Sequence, residues 1–374
     1  MSKDYFSLGL MSGTSMDGVD ASIIQSDGNA KYKAILNKYF EYPNQIYQNL
    51  TELRDKIKNS KDLKRLRKQI GIIEKEITIF HAKAVEQILK KKKVNIDFIG
   101  FHGQTIFHNA EENTSKQLGD GKLLSKLTNK TVVYNFRQND LKNSGEGAPL
   151  TPIFHQLIVK KKKIDLPVNF LNLGGIANVT TVINYKSNGL VGYDLGPGNC
   201  LIDAWIRKKI KKKYDDKGSI ASTGKINEII LKAIYAFLLR KVKFDKHSLT
   251  KRSLDIKDFK LTDNFKKLSL KDGAATLTEF TSRLLDPFIE NANSDKEKII
   301  LCGGGRKNNF LVEKLKKKNM NIKLIDNYGI DGDFVESQAF AYIAIRSYLK
   351  LPISFPQTTG CKEPCTGGVT VRNF

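Results

Sequence analysis

Three short stretches near the N-terminus, Tyr5–Met11, Val19–Gln25 and Lys33–Tyr39, are rich in apolar residues and separated by tight turns. Such runs predict strands, here an antiparallel meander. The period then changes. Leu63, Leu66, Ile70, Ile73, Ile77, Phe80, Ala84 and Ile88 recur every three or four residues, the stripe of a long helix packed on a core. Two further strands are expected, Phe98–His102, ending at Gly103, and Thr131–Phe136. The pattern then starts again. Val168–Asn172, Asn178–Ile183 and Gly189–Asp194 read as strands, and Asn199–Lys212, Lys225–Leu239 and Asp272–Asn291 as helices. A buried strand, Lys298–Cys302, runs into Gly303-Gly304-Gly305. A helix, the short strand Ile322–Ile325 and a helix from about Phe334 to Leu349 follow. Two meanders, each leading into mixed α/β segments, imply two similar halves with a cleft between them. The tail, with Pro352, Pro356, Pro364 and Gly367-Gly368, is expected to be irregular and to lie on the surface.

Composition narrows the class. At roughly 150 residues per domain, 374 residues suggest two domains or one large one. Hydrophobic residues at 40% against charged residues at 27% exclude a disordered chain. No apolar run approaches the roughly 18 residues of a membrane span, and Met1–Phe6 does not read as a secretory leader. Cys200, Cys302, Cys361 and Cys365 are too few and scattered for a disulfide framework, which points to a reducing cytoplasm. Cys361 and Cys365 could form a pair or half a metal site, but no second Cys/His pair is nearby, which argues against metal binding there.

A net charge of +24 makes nucleic acid the first thought. Yet eleven of the 63 basic residues are arginine, and the lysines cluster in runs such as Lys160–Lys163 and Lys316–Lys318. These fall in loops and at helix ends, where a solvated ammonium costs little. Arginine forks with interleaved aromatics, the usual equipment for nucleic acid, do not accompany them. The excess is read as a solvated surface.

Candidate chemistry sits in four glycine loops. Gly9–Asp20 places two glycines and three hydroxyls between two strands, followed by Asp17 and Asp20. Its backbone N–H groups can face a phosphate, and the carboxylates can hold Mg²⁺. A plain hairpin with an Asp-Gly turn gives the same pattern, so spacing alone leaves both readings open. The other loops are Asn172–Asn178, Gly192–Asn199 and Cys302–Asn308, all expected where strands end. Four such loops spread over two similar halves suit a nucleotide cleft.

Gly9–Asp20, His102–Thr105, Asn135–Arg137, Gly145–Leu150, Asn172–Asn178, Gly192–Asn199 and Gly303–Gly305 occur in an order and spacing that resembles the anhydro-N-acetylmuramic acid kinases of bacterial cell-wall recycling. The resemblance covers essentially the whole chain. It implies the duplicated, ribonuclease H-like α/β fold of the actin/hexokinase/Hsp70 superfamily, with a central nucleotide cleft. It also implies a homodimeric enzyme using ATP and Mg²⁺ on 1,6-anhydro-N-acetylmuramic acid, opening the anhydro bridge and phosphorylating O6. One subdomain is expected over 1–145 plus 338–374 and the other over 146–337. By resemblance, Asp194 is the catalytic base. Gly13, Thr14, Ser15, Met16, Asp17, Gly18, Val19 and Asp20 form the first phosphate loop. Gly174, Gly196, Gly198 and Asn199 belong to the second, and Gly303, Gly304 and Gly305 lie near adenosine. Thr105, Arg137 and Glu336 match positions near the sugar, and Arg137 suits the lactyl carboxylate. A sensor or chaperone of the same superfamily is the alternative, and retention of Asp194 argues against it. The chain departs from the family pattern at Glu146, where glutamine is usual, and at Arg252 and Ile256, which replace a lysine and a later arginine. Those changes bear on substrate affinity more than on reaction type.

Overall fold

The structure is a computed structural model that describes residues 3–92, 94–210, 212–241, 254, 259, 265, 267–292 and 297–374. Arg252 and Ile256 lie outside the described residues. The chain forms two compact units, one of Met1–Ile164, Tyr185–Leu190 and Asp333–Phe374, the other of Asp165–Asn184 and Val191–Gly332.

In the first unit the meander β1 (Tyr5–Ser12), β2 (Gly18–Ser26) and β3 (Tyr32–Glu41) leads through α1 (Asn44–Lys56), α2 (Ser60–Arg65) and α3 (Arg67–Lys91). After these come β4 (Phe98–Asn109), β5 (Thr114–Leu118), α4 (Gly121–Thr128), β6 (Val132–Tyr134), α5 (Gln138–Lys142) and α6 (Pro152–Lys162). The second unit holds β7 (Val168–Leu173), β8 (Ile176–Val182), β9 (Leu190–Pro197), α7 (Cys200–Lys209), α8 (Glu228–Lys241), α9 (Leu270–Leu284) and α10 (Asp286–Asn291). It continues with β10 (Lys298–Cys302), α11 (Asn309–Lys318) and β11 (Ile322–Leu324). The chain then returns to the first unit as α12 (Val335–Tyr348), α13 (Pro356–Thr359) and β12 (Val369–Val371).

The first sheet runs β12-β6-β4-β1-β2-β3, with β5 hairpinned onto β4. β1 and β2 are antiparallel, β1 and β4 parallel, and β4 and β6 parallel. The second sheet, β11-β10-β7-β8-β9, repeats this plan: an antiparallel β7–β8 pair, then β10 and β11 added parallel. Each unit thus carries strand order 3-2-1-4-5, the ribonuclease H-like topology expected twice over.

Packing explains the helix patterns. α3 buries Ile70, Ile73, Ile77, Ala84 and Ile88 against the sheet. The expected single helix through Leu63 is two: Asn59 caps the start of α2 by accepting from the Lys61 N–H at 3.0 Å, and at Leu66, with φ −95° and ψ 13°, the backbone leaves the helical range before α3 begins at Arg67. α12 is buried nearly all round, from Ala339 to Ile345, as a helix crossing a sheet inside a core must be. The Ser22 and Ser337 hydroxyls pair across that contact at 2.6 Å. The expected helix Asp272–Asn291 breaks at Leu285 because Pro287 lies in the first turn of α10 and cannot continue α9's hydrogen bonds.

Two expectations are corrected. The tail is not wholly irregular: β12 pairs antiparallel with β6, Thr370 opposite Val133, and so covers an edge that β6 would expose. The boundary expected at 145/146 falls at 164/165. Residues 146–164 and 333–337 join the first unit, since α6 buries Phe154 and Ile158 and α12 begins at Val335 against β1, β2 and β4.

Candidate active site

In the first unit, the loop from Ser12 to Val19 is fixed from below. The buried Ser12 hydroxyl donates to Gln104 Oε1 at 2.6 Å and lies 2.9 Å from the Gly18 carbonyl, while the Tyr42 hydroxyl donates to Ser12 Oγ at 3.1 Å. Gln104 Nε2 reaches the Gly13 carbonyl at 3.0 Å. Met16 holds positive φ, 58°, with its side chain buried, so the turn is over-determined by its surroundings. Met16 and Val19 therefore pack the loop, whereas Thr14 and Ser15 are exposed. The Ser15 hydroxyl donates to Asp17 Oδ1 at 2.5 Å. Asp20, on β2 opposite Met11 and Tyr39, is half-buried.

Arg137 is the centre of a second group in the same unit. Its guanidinium donates to the Gly147 carbonyl at 2.7 Å and meets His102 Nε2 at 2.9 Å. His102 Nδ1 lies 2.9 Å from the Gly103 carbonyl. A ring whose Nε2 accepts from a guanidinium must carry its proton on Nδ1. Burial, reinforced by the Arg137 charge, accordingly pushes His102 down to about 3. His108 is pushed down to about 3 by the same two causes. Glu336, half-buried in the first turn of α12, has its carboxyl raised by burial and pulled back by Arg137. Thr105 Oγ1 accepts from Gln117 Nε2 at 3.2 Å, where β4 and β5 slip register. Arg137 and Glu336 thus lie within electrostatic reach of each other, while the side-chain partner of Thr105 is Gln117.

In the second unit the three glycine loops lock together. Gly198 and Asn199 donate backbone N–H groups to the Gly175 and Gly174 carbonyls at 3.0 and 2.8 Å, and Asn199 Nδ2 donates to the Leu173 carbonyl at 2.9 Å. A Cβ at Gly198 would sit 2.5 Å from the Gly174 carbonyl oxygen. Gly303 has φ +76°, and a Cβ there would lie 2.2 Å from Asn172 Oδ1. Bare backbone is required at both. Gly304 differs: it is exposed, and a Cβ would meet nothing within 4 Å.

Asp194 lies inside β9, which runs on to Pro197, and so is not at the strand end expected for it. Gly196, at φ +140°, lies in the region that favours glycine, and a Cβ there would sit 2.5 Å from Leu284 Cδ2. Asp194 Oδ2 accepts the Leu254 N–H at 2.6 Å. Nor does Cys302 run directly into a helix; a 3₁₀ turn, Gly304–Lys307, intervenes before Asn308 caps α11.

Sequence reasoning missed Gln104 and Leu254 as supports. Gln104 belongs to the His102–Thr105 motif, but its partner Gly13 is 91 residues away, and no local signal announces that pairing. Leu254 contributes only a backbone N–H, which any residue other than proline has.

A model of the family described as "Anhydro-N-acetylmuramic acid kinase" matches residues 5–373. Proteins of that name in Pelagibacter ubique, Brucella canis and Methylobacterium nodulans are similar to this chain. The first is 53% identical over 382 residues, covering 100% of both chains. The second is 35% identical over 377 residues, covering 98% of each. The third is 36% identical over 385 residues, covering 98% of this chain and 99% of its own. Among solved structures, component A of (R)-2-hydroxyglutaryl-CoA dehydratase from Acidaminococcus fermentans aligns with 92% of this chain and 100% of its own at 10% identity, with a TM-score of 0.47.

Proposed function

The chain belongs to the anhydro-N-acetylmuramic acid kinase family, and on that premise we propose how its residues divide the work. The activity is ATP-dependent: the 1,6-anhydro bridge of 1,6-anhydro-N-acetylmuramic acid is hydrolysed and O6 phosphorylated, giving N-acetylmuramic acid 6-phosphate and ADP in peptidoglycan recycling. The sensor alternative is not favoured.

The observation that carries the assignments is the interlocked glycine cluster of the second unit on the sheet that holds Asp194. In our reading, O6 begins as the bridge oxygen bonded to C1. Water attacks C1 as Asp194 takes its proton, the C1–O6 bond breaks toward O6, and O6 bonds to the γ-phosphorus as the bond to ADP breaks. Gly13–Asp20 cradles phosphate in the first unit. Gly174, Gly196, Gly198 and Asn199 do so in the second, and Gly303–Gly305 lines the adenosine. Exposed Thr14 and Ser15 and the open face of Gly304 fit close approach of a nucleotide. Asp17 and Asp20 supply the hard oxygen ligands that Mg²⁺ takes, and the ion neutralises phosphate charge when bound. Arg137 attracts the lactyl carboxylate, with Thr105 and Glu336 beside it. Glu336, its carboxyl raised by burial, suits a hydrogen bond to a sugar hydroxyl.

We also propose a cytoplasmic homodimer whose lysines face solvent and bind no nucleic acid. Among the described residues, no helix is long and apolar enough to cross a membrane. Sedimentation tests the dimer, and a gel-shift titration at physiological salt tests the nucleic-acid exclusion.

The deciding experiment is a mass spectrum of the product formed from 1,6-anhydro-N-acetylmuramate, ATP and Mg²⁺ in ¹⁸O-water. The label belongs on C1, read before mutarotation scrambles it. Label in the transferred phosphoryl group refutes this order of steps.

A further inference from the structure

Asp140, on α5, is buried and 1% exposed, in the first unit. Its Oδ1 accepts the Ser354 hydroxyl at 2.5 Å and the Thr359 hydroxyl at 2.6 Å; its Oδ2 accepts the Gly147 N–H at 2.7 Å. Its main chain helps too, since the Asp140 carbonyl accepts the Gly145 N–H at 2.9 Å. The Glu146 N–H reaches the Thr359 carbonyl at 2.7 Å, so the loop 145–147 is tied both to α5 and to α13. The same Gly147 offers its carbonyl to Arg137 at 2.7 Å. A continuous chain therefore runs from the C-terminal segment through the Asp140 carboxylate and the Gly147 peptide to the guanidinium.

The Cys361 and Cys365 thiols share this pocket, their sulfurs within 4.8 Å of each other and of the Asp140 carboxylate. Burial pushes both up, Cys365 to about 12, so they stand there as neutral thiols. Three donors already claim the carboxylate. In this arrangement the carboxylate acts as an anchor.

We propose that Asp140 is a positioning residue: it fixes the Gly147 peptide, and through it the orientation of the Arg137 guanidinium toward the sugar. A buried carboxylate taking three hydrogen bonds has one low-energy place to be, and Arg137, a long flexible side chain, takes its direction from what its donors meet. The proposal rests on the reading above that Arg137 faces the lactyl carboxylate.

Two variants break the link differently. Asp140→Ala removes the acceptor. Gly145→Ala keeps it but places a Cβ 2.2 Å from Asp140 Oδ2, the oxygen that holds Gly147, and so serves if the first variant does not fold. Each should raise KM for 1,6-anhydro-N-acetylmuramate about tenfold, the worth of one charge-assisted hydrogen bond, and leave KM for ATP alone. Ser354→Ala removes a partner of the other oxygen; it should lower the melting temperature without moving either KM. The second readout is the His102 ¹⁵N resonance, because Nε2 accepts from Arg137. It should move in Asp140→Ala and Gly145→Ala and stay put in Ser354→Ala. Combined with Arg137→Ala, Asp140→Ala should add nothing further to the KM. A folded Asp140→Ala protein with unchanged sugar KM and an unmoved His102 signal overturns the proposal. Should Arg137→Ala leave the sugar KM unchanged while Asp140→Ala still moves His102, the anchoring stands and Arg137's assignment to the sugar falls.

Discussion

Gly303, Gly304 and Gly305 are consecutive, yet the structure asks different things of them, and an alanine scan should separate packing from ligand binding. At Gly303 a Cβ would lie 2.2 Å from Asn172 Oδ1, on a backbone with φ +76°. An L-residue in that region costs about 1–2 kcal/mol, and relieving a contact well inside 3 Å adds about 1–3 kcal/mol of local displacement. Gly303→Ala should therefore destabilise by about 2–5 kcal/mol and lower the melting temperature by roughly 5 °C or more. Gly305→Ala belongs with it, since its Cβ would meet Asn199 Nδ2 at 2.6 Å and Leu173 Cβ at 2.7 Å. Gly304→Ala has no such neighbour, so its stability should stay within about 0.5 kcal/mol of the parent. If the exposed face of Gly304 receives the nucleotide, the added methyl must still collide with it. KM for ATP should then rise severalfold at unchanged melting temperature, with KM for the sugar unaffected. Differential scanning calorimetry and initial rates over an ATP titration give both numbers. An unchanged ATP KM in Gly304→Ala would refute the reasoning and leave the glycine run with packing alone to explain it.

Other outcomes follow from the same contacts. Asp194→Asn keeps the shape and removes the proposed base, so kcat should fall by about 10² or more while ATP affinity holds; a variant that keeps most of its kcat while Asp17→Asn loses it would mean the base is misassigned. Ser12→Ala strips a buried hydroxyl from Gln104, Gly18 and Tyr42 and should cost about 1–3 kcal/mol in urea unfolding, with no loss meaning that the Ser12–Val19 loop does not depend on that network. Three fully buried histidines set an acid limit: burial pushes His81 down to about 4 and His102 and His155 to about 3. Their folded pKa values lie below the unfolded value near 6.5, so stability is full above pH 6.5 and is lost as pH falls toward 4, at about 1.4 kcal/mol per pH unit for each. The urea midpoint should drop steeply between pH 6.5 and 5, and a flat profile there would contradict neutral buried rings.

The sequence by itself determined much of this protein. Short apolar runs bounded by turns located the strands Tyr5–Met11 and Lys298–Cys302, and a period-3.6 stripe located the helix from Ile70 to Ile88, because such patterns report which parts of a local element are buried. The repeat of meander and α/β segments was legible as two similar halves for the same reason, and the glycine loops were visible as missing side chains. Tertiary structure alone decided the rest. That Gly198 needs no side chain because Gly174 lies against it, that Gln104 holds the first loop, and that Asp140 reaches Thr359 across 219 residues are contacts between segments whose local sequences carry no mark of each other. β12 joined the sheet among prolines and glycines because it had an edge to cover, and Asp194 sits within β9, which runs on to Pro197. Local sequence encodes the preference of an element for burial or solvent; which partner satisfies that preference is fixed only when distant segments pack and every buried polar group must find its hydrogen bond.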